Sequence, residues 1–325
     1  MASTPENEQP FAKYKLLEKY SQFINPKSDT YNSGICLASA IFTEHIDFDL
    51  TYFPLKHLGY KVIVATMTDI LAKNGTPSQV RIDVALSNRF SEDAIDELMS
   101  GMVHCCQKFK IALVGLDLKT SAIGLIIATS MMGNIAENQQ IEIDGAKENE
   151  LICVTGDLGS AYAGLILLER EKQVFNADPT QQPDFIGVDY LLERYLKPEP
   201  QVGTLKATSL QNIKPTSMIN LSNGLAAGLI QLCNASKLGC IVFEEKLPID
   251  ILTFDKLKEL NIVATTIALN GGEDYELLFT IKQDDYDKIK EIKEVSVIGY
   301  MTHESAGRQI VTNDNKQFEL KAQGY

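Results

Sequence analysis

Apolar positions along this chain switch between helical and strand spacing, and each switch marks a predicted element. Phe11, Tyr14, Leu17, Tyr20 and Ile24 recur at helical spacing over residues 11–24, which predicts a helix packing on the first domain. A loop with Pro26 and Asp29 follows, then a strand from Ile35 to Phe42. Pro54 opens a helix whose pattern continues to Ala72, and Asn74-Gly75 supplies a C-terminal stop. Val80 to Leu86 alternates as a half-buried strand. Ser91 is placed to cap the next helix, with Glu92 and Asp93 in its first turn and Ile95, Leu98, Met102 and Cys106 as its buried stripe. Strands over Ile111–Gly115 and Ala122–Met131 complete a β-α-β-α-β-β unit. The polar run Ala136-Glu137-Asn138-Gln139-Gln140 then divides the chain into domains at 1–138 and 139–325.

The second half opens with a strand, Leu151–Thr155, the turn Gly156-Asp157-Leu158-Gly159, and a helix from Ser160 to about Lys172. Strand, glycine turn and helix together can present helix N-terminal amides to an anion. The same glycines also serve simply to turn the chain. Further helices are predicted over Pro183–Leu196 and over Gly224–Ser236, the second with Leu225, Leu229 and Leu232 on one face. A short strand, Met218–Leu221, lies between them. An apolar strand from Ala264 to Leu269 then runs into Gly271-Gly272, with Glu273, Asp274 and Glu276 close behind and a second apolar run leaving. Paired glycines let a backbone approach a ligand or a neighbouring strand closely. The fold class is α/β with two α/β domains, and a ligand is expected near the Gly271–Tyr275 turn.

Composition narrows the function. Hydrophobic content of 45% and charged content of 22% over 325 residues are those of a globular protein with two cores. A formal net charge of −13 argues against a nucleic-acid partner. It also means that an anionic substrate needs bound cations or a local cluster of lysines. The polar, acidic start Met1-Ala2-Ser3-Thr4-Pro5-Glu6 has no signal-peptide pattern, and the apolar run Ala122–Gly133 is shorter than a membrane span. Cys36, Cys105, Cys106, Cys153, Cys233 and Cys240 show no C-x-x-C spacing, so they read as reduced core thiols of a cytoplasmic protein and suggest no zinc site. His45, His57, His104 and His303 are scattered and read as ordinary helix or surface residues.

Three blocks carry a family resemblance: Val154-Thr155-Gly156-Asp157-Leu158-Gly159, Ala163-Gly164-Leu165 and Gly271-Gly272-Glu273-Asp274-Tyr275-Glu276-Leu277. Phe48-Asp49-Leu50, with the helix after it, is a weaker fourth. In this order and spacing the chain resembles thiamine-monophosphate kinase, within the superfamily of aminoimidazole ribonucleotide synthetase and selenophosphate synthetase. The resemblance implies a homodimer whose N-terminal sheets close into a barrel, with a mixed-sheet C-terminal domain. It implies a cleft in which ATP passes its γ-phosphoryl group to thiamine monophosphate, giving thiamine diphosphate. Several Mg²⁺ ions, held by carboxylates and phosphate oxygens, would offset the repulsion between phosphates. On the same basis Asp69 and Asp117 are metal ligands. Gly156, Asp157 and Gly159 lie near phosphate or nucleotide, and Asp47, Gly271, Gly272, Glu273, Asp274 and Tyr275 face the substrate.

Departures from the family pattern concentrate on the metal ligands. Where a G-x-G-D-D loop is expected, the chain has Pro26-Lys27-Ser28-Asp29-Thr30-Tyr31-Asn32-Ser33. The strand-end S-T-D reads Ala38-Ser39-Ala40, and the D-x-S-D-G turn reads Asn220-Leu221-Ser222-Asn223-Gly224. The helix S-D survives as Thr68-Asp69, and the G-G-D-T turn keeps its acid in Gly115-Leu116-Asp117-Leu118. An R-x-G-A-K stretch reads Ile143-Asp144-Gly145-Ala146-Lys147, without its arginine. At the substrate-side segment, His45 and Asp47 replace the usual Gly and His. Lys73 and Lys119 stand near Asp69 and Asp117, placed to neutralise acids that no longer see metal, unless they are merely solvated surface lysines. These losses predict weakened or lost catalysis. The other readings are a working kinase with Asp69 and Asp117 as its surviving Mg²⁺ ligands, a silent paralogue that binds a nucleotide or thiamine-like ligand or regulates a partner, and a structural dimer with no small ligand.

Overall fold

The structure is a computed structural model that describes residues 34–322, so the helix predicted over 11–24 and the loop carrying Asp29 lie outside the described residues. The first sheet contains β1 (Ile35–Thr43), β2 (Thr76–Leu86), β3 (Ala112–Thr120) and β4 (Ile126–Asn134) in the order β1-β4-β2-β3. β2 and β3 run parallel, and the other neighbours are antiparallel. Its alternation is that of a sheet covered on one face. Val80, Ile82 and Val84 are buried, as are their register partners Met131, Thr129 and Ile127.

Two helices, α1 (Leu55–Leu71) and α2 (Glu92–Phe109), cover that face. α1 is buried at nearly every position from Leu58 to Leu71, as a helix apolar all round must be. Asn74, in left-handed backbone at φ 59°, stops the chain just beyond it. Ser91 Oγ accepts a hydrogen bond from the Ala94 amide at 3.2 Å and caps α2. The two helices meet through Gly59 and Gly101. A Cβ added at Gly59 would lie 2.1 Å from the Leu98 carbonyl oxygen, and one at Gly101 would lie 1.9 Å from that of Lys56. The opposite face of the sheet carries exposed Leu37 and Ile41 and a shallow depression lined by Ser39, Arg81, Val114 and Met132.

The second sheet holds β5 (Leu151–Thr155), β6 (Ser217–Leu221), β7 (Gly239–Phe243), β8 (Glu276–Ile281), β9 (Val295–Thr302), β10 (Arg308–Val311) and β11 (Gln317–Glu319). Their order is β11-β10-β7-β9-β5-β8-β6, with β7 and β10 parallel, so the sheet is mixed as expected. Around it lie α3 (Ser160–Ala177), α4 (Asp189–Leu196), α5 (Val202–Leu210), α6 (Leu225–Ser236), α7 (Ile251–Glu259), α8 (Ala264–Asn270) and the short α9 (Tyr286–Ile289). Every residue of β8 is buried, which places the run after Gly271-Gly272 inside the sheet.

Some boundaries differ from those expected. The stretch Ala264–Leu269 is the helix α8 and not a strand; its buried residues are Ala264 and Ala268, one helical turn apart. A short apolar run carries too little periodicity to separate the two cases. The helix expected from Pro183 begins only at Asp189, because Gly187 at φ 72° takes a left-handed conformation that no helix continues through. Gly124 at φ 108° likewise delays the strand expected from Ala122 until Ile126, while β3 runs on from Ala112 to Thr120.

Candidate functional site

The Gly271–Tyr275 turn joins α8 to β8 and closes against the turn that follows β6. A Cβ at Gly272, φ 76°, would stand 2.8 Å from the Ser222 carbonyl oxygen, so glycine is required there. Glu273 and Tyr275 also hold left-handed backbone, at φ 60° and 51°. Side chains adopt such conformations where the surroundings fix them. Here the Glu273 amide donates to the Ser222 carbonyl at 2.9 Å and the Tyr275 amide to that of Leu221 at 3.3 Å.

Across from this turn stands Lys61, in the middle of α1 and only 2% exposed. Its Nζ lies 2.7 Å from Glu273 Oε2 and 3.8 Å from the centroid of the Tyr195 ring. Burial pushes the Lys61 ammonium below its usual range, and Glu273 and then Asp47 pull it back. Asp47 therefore belongs to the same neighbourhood as Glu273, and its Oδ2 also accepts a hydrogen bond from the Thr43 amide at 2.7 Å. His45, where the family pattern has Gly, takes φ 67°. The structure thus gathers Asp47 and Glu273 around a lysine that the pattern of the sequence did not single out. The available signal was a charged residue at a core position of an apolar helix.

The Gly156–Gly159 turn leads into α3. Both glycines have positive φ, 57° and 85°, and a Cβ at Gly156 would be 2.2 Å from Glu276 Oε1. The first amides of the helix face a carboxylate of the protein itself. Asp274 Oδ2 accepts from the Gly159 amide at 3.0 Å and Oδ1 from the Ala161 amide at 3.4 Å, a stabilising placement at a helix N-terminus. Arg194, from α4, enters the same cluster. Its Nη2 donates to Glu276 Oε1 at 3.0 Å, and its Nε lies 3.3 Å from Asp157 Oδ1. Thr155 Oγ1 donates to Glu276 Oε2 at 2.5 Å, and the Tyr190 hydroxyl to Asp157 Oδ1 at 2.6 Å. Burial pushes the Asp274 and Glu276 carboxyls up to about 7 against the pull of Arg194. Asp157, Asp274 and Glu276 thus surround one guanidinium. Arg194 had no motif to mark it.

The two acids assigned to metal are far apart in role. Asp69, on α1, accepts a hydrogen bond at 3.1 Å from the Asn220 side-chain amide of β6. Burial raises the Asp69 pKa, with Asn220 and then Lys73 opposing. Lys73 itself donates to the Leu37 carbonyl at 2.6 Å, so it biases Asp69 without forming an ion pair with it. Asp117 pairs in register with Asp83 on β2, on the sheet face turned away from α1. Lys119 does reach it, at 3.6 Å, in an exposed pair of little energetic weight. Ala40, half-buried opposite Thr129, offers no oxygen from its side chain. Among the described residues no three His, Cys, Asp or Glu side chains are grouped to hold a metal. Mg²⁺ takes oxygen ligands, and the atom that Asn220 turns to Asp69 is a donor nitrogen. Within one chain the described residues do not fit a cluster of Mg²⁺ ions.

Comparison with known proteins places this geometry. Residues 28–135 match the family described as AIR synthase related protein, N-terminal domain. The thiamine-monophosphate kinase of Bacillus subtilis is 27% identical over 296 residues, covering 90% of this chain and 86% of the relative. That of Buchnera aphidicola subsp. Acyrthosiphon pisum is 30% identical over 264 residues, covering 80% and 77%. A solved structure, AaThiL complexed with AMPPCP and TMP, superposes with a TM-score of 0.80 at 21% identity over 97% of this chain and 98% of its own. Sequence likeness along most of both chains, with the fold in agreement, establishes that this chain belongs to the thiamine-monophosphate kinase family.

Proposed function

We propose that this protein is a thiamine-monophosphate kinase-like protein whose phosphoryl transfer is weakened or lost and whose cleft still takes a nucleotide or thiamine-like ligand. One observation carries the reading. Asp69 and Asp117 stand on different sides of the first sheet, one bonded to an amide and the other paired with a lysine. Phosphoryl transfer relies on positioning and on cations that neutralise developing charge. The net charge of −13 gives an anionic, phosphate-rich substrate no long-range attraction to offset that loss. The α3 N-terminus supports the same reading, since its amides at Gly159 and Ala161 already face Asp274.

The ligand lies between the Gly156, Asp157 and Gly159 turn on its phosphate side and Asp47 with Gly271–Tyr275 on its substrate side. AaThiL holds AMPPCP and TMP, which makes ATP and thiamine monophosphate the first ligands to try. Domains of residues 1–138 and 139–325 flank the cleft. The protein is a homodimer, joined through the exposed Leu37 and Ile41 face of the first sheet. Six buried free thiols accord with a reducing, cytoplasmic setting. No helix among the described residues is long and apolar enough to cross a membrane.

Calorimetric titration with ATP and with thiamine monophosphate, each in Mg²⁺ and in EDTA, tests the reading. The expected result is binding of at least one of them with the same affinity in both buffers. Mg²⁺-dependent ATP binding accompanied by formation of thiamine diphosphate would contradict it.

A further inference from the structure

The space between α1 and the second sheet is crossed by two polar ties, and both are made by protein donors. Lys61 reaches Glu273 at 2.7 Å, and the Asn220 amide reaches Asp69 at 3.1 Å. Asn220 is buried and engages Asp69 through its amide nitrogen, while its Oδ1 is left without a hydrogen-bond partner. Lys73, two residues beyond α1, is bonded to the Leu37 carbonyl, so it does not form the tie. A carboxylate at position 220 would face that of Asp69 at hydrogen-bond distance. Two such charges out of water cannot both ionise without a proton or a cation between them.

We propose that the Asn220 amide takes the place of a bridging divalent cation at Asp69, so that α1 and β6 are held together without metal. The charge arithmetic decides between the two arrangements. Asp69 with Asn220 carries one negative charge and one hydrogen bond, so no cation is needed to separate two carboxylates. Asp69 with an acid at 220 carries two negative charges and no hydrogen bond, and needs Mg²⁺ or its equivalent. The proposal rests, as the ligand-binding reading does, on the Asn220–Asp69 contact, but it concerns how the cleft is held, and melts without ligand report on it separately from ligand binding.

Thermal melts of the full chain test it, with wild type, Asn220→Asp and Asp69→Asn each measured in excess Mg²⁺ and in EDTA. Wild type and Asp69→Asn are expected to melt at the same temperature in both buffers. Asn220→Asp is expected to melt several degrees lower than wild type in EDTA and to recover in Mg²⁺. A Mg²⁺-induced rise in the wild type that Asp69→Asn abolishes would overturn the proposal, and so would an Asn220→Asp variant as stable as wild type in EDTA. If Asn220→Asp does not fold, Mn²⁺ binding followed by electron paramagnetic resonance on wild type and Asp69→Asn decides. Equal binding supports the proposal, and a site lost with Asp69 contradicts it.

Discussion

Lys61 and Arg194 are single positive charges in buried surroundings, and each is matched by more than one acid. Lys61 has Glu273 at 2.7 Å with Asp47 nearby, and Arg194 has Asp157, Asp274 and Glu276. Removing one partner of a buried pair leaves the other charge desolvated and costs several kcal/mol. Glu273 keeps some exposure to water, so Lys61→Met is expected to destabilise by about 1–3 kcal/mol, less than a fully buried pair. Urea denaturation of Lys61→Met, Glu273→Gln and the double variant should give a coupling energy of about 1 kcal/mol. An additive double variant would remove the pair from the account.

The Arg194 cluster predicts a pH dependence. Asp274 and Glu276 titrate at about 7 in the folded chain, above the ordinary carboxyl range of the unfolded one. The folded state therefore holds protons that the unfolded state has released. Their contribution to stability is complete at pH below about 4 and is lost as the pH rises to about 7. Glu276→Gln cannot lose a proton there. Its stability relative to wild type should rise between about pH 4 and pH 7 and then level off, as measured by denaturation at each pH. A difference that is flat across that window would contradict the assignment.

At the scale of elements, much was legible because caps and periodicity are local. The Ser91 cap, the stop after α1 and the turn before α3 all follow from residues within a few positions of each other. What the sequence concealed depends on contacts made over long separations. α8 reads as a strand because its run is short and only Ala264 and Ala268 are buried, too few positions to show a helical period. The closeness of α1 and α2 could not be read at all, since Gly59 and Gly101 look alone like weak points in two helices. In the fold each lies against the other helix's backbone. Gly101→Ala, which should gain helix propensity, is instead expected to lower stability by about 2–3 kcal/mol. A melting temperature unchanged or raised would show that the helices can move apart freely.

For the whole molecule, the order of motifs was enough to give the family and the two-sheet α/β fold, but the site divides. Asp47 and Glu273 both lie near Lys61, a residue that no motif marked. Asp69 and Asp117 do not meet within the chain, because strand register puts Asp117 on the face away from α1. That face carries Leu37 and Ile41, more than half exposed, and a homodimer through it would cover them. Ile41→Glu should accordingly yield a monomer by light scattering after size exclusion, and a variant that remains dimeric would place the interface elsewhere.

The central proposal is that the cleft of this kinase family still takes a ligand here while its metal-dependent phosphoryl transfer is weakened or lost. Formation of thiamine diphosphate from ATP, Mg²⁺ and thiamine monophosphate by the purified full chain tests it most directly. The account predicts turnover well below about 1 s⁻¹, down to no product above the enzyme-free control. Turnover at about 1 s⁻¹ or faster, the ordinary range for kinases, would contradict it.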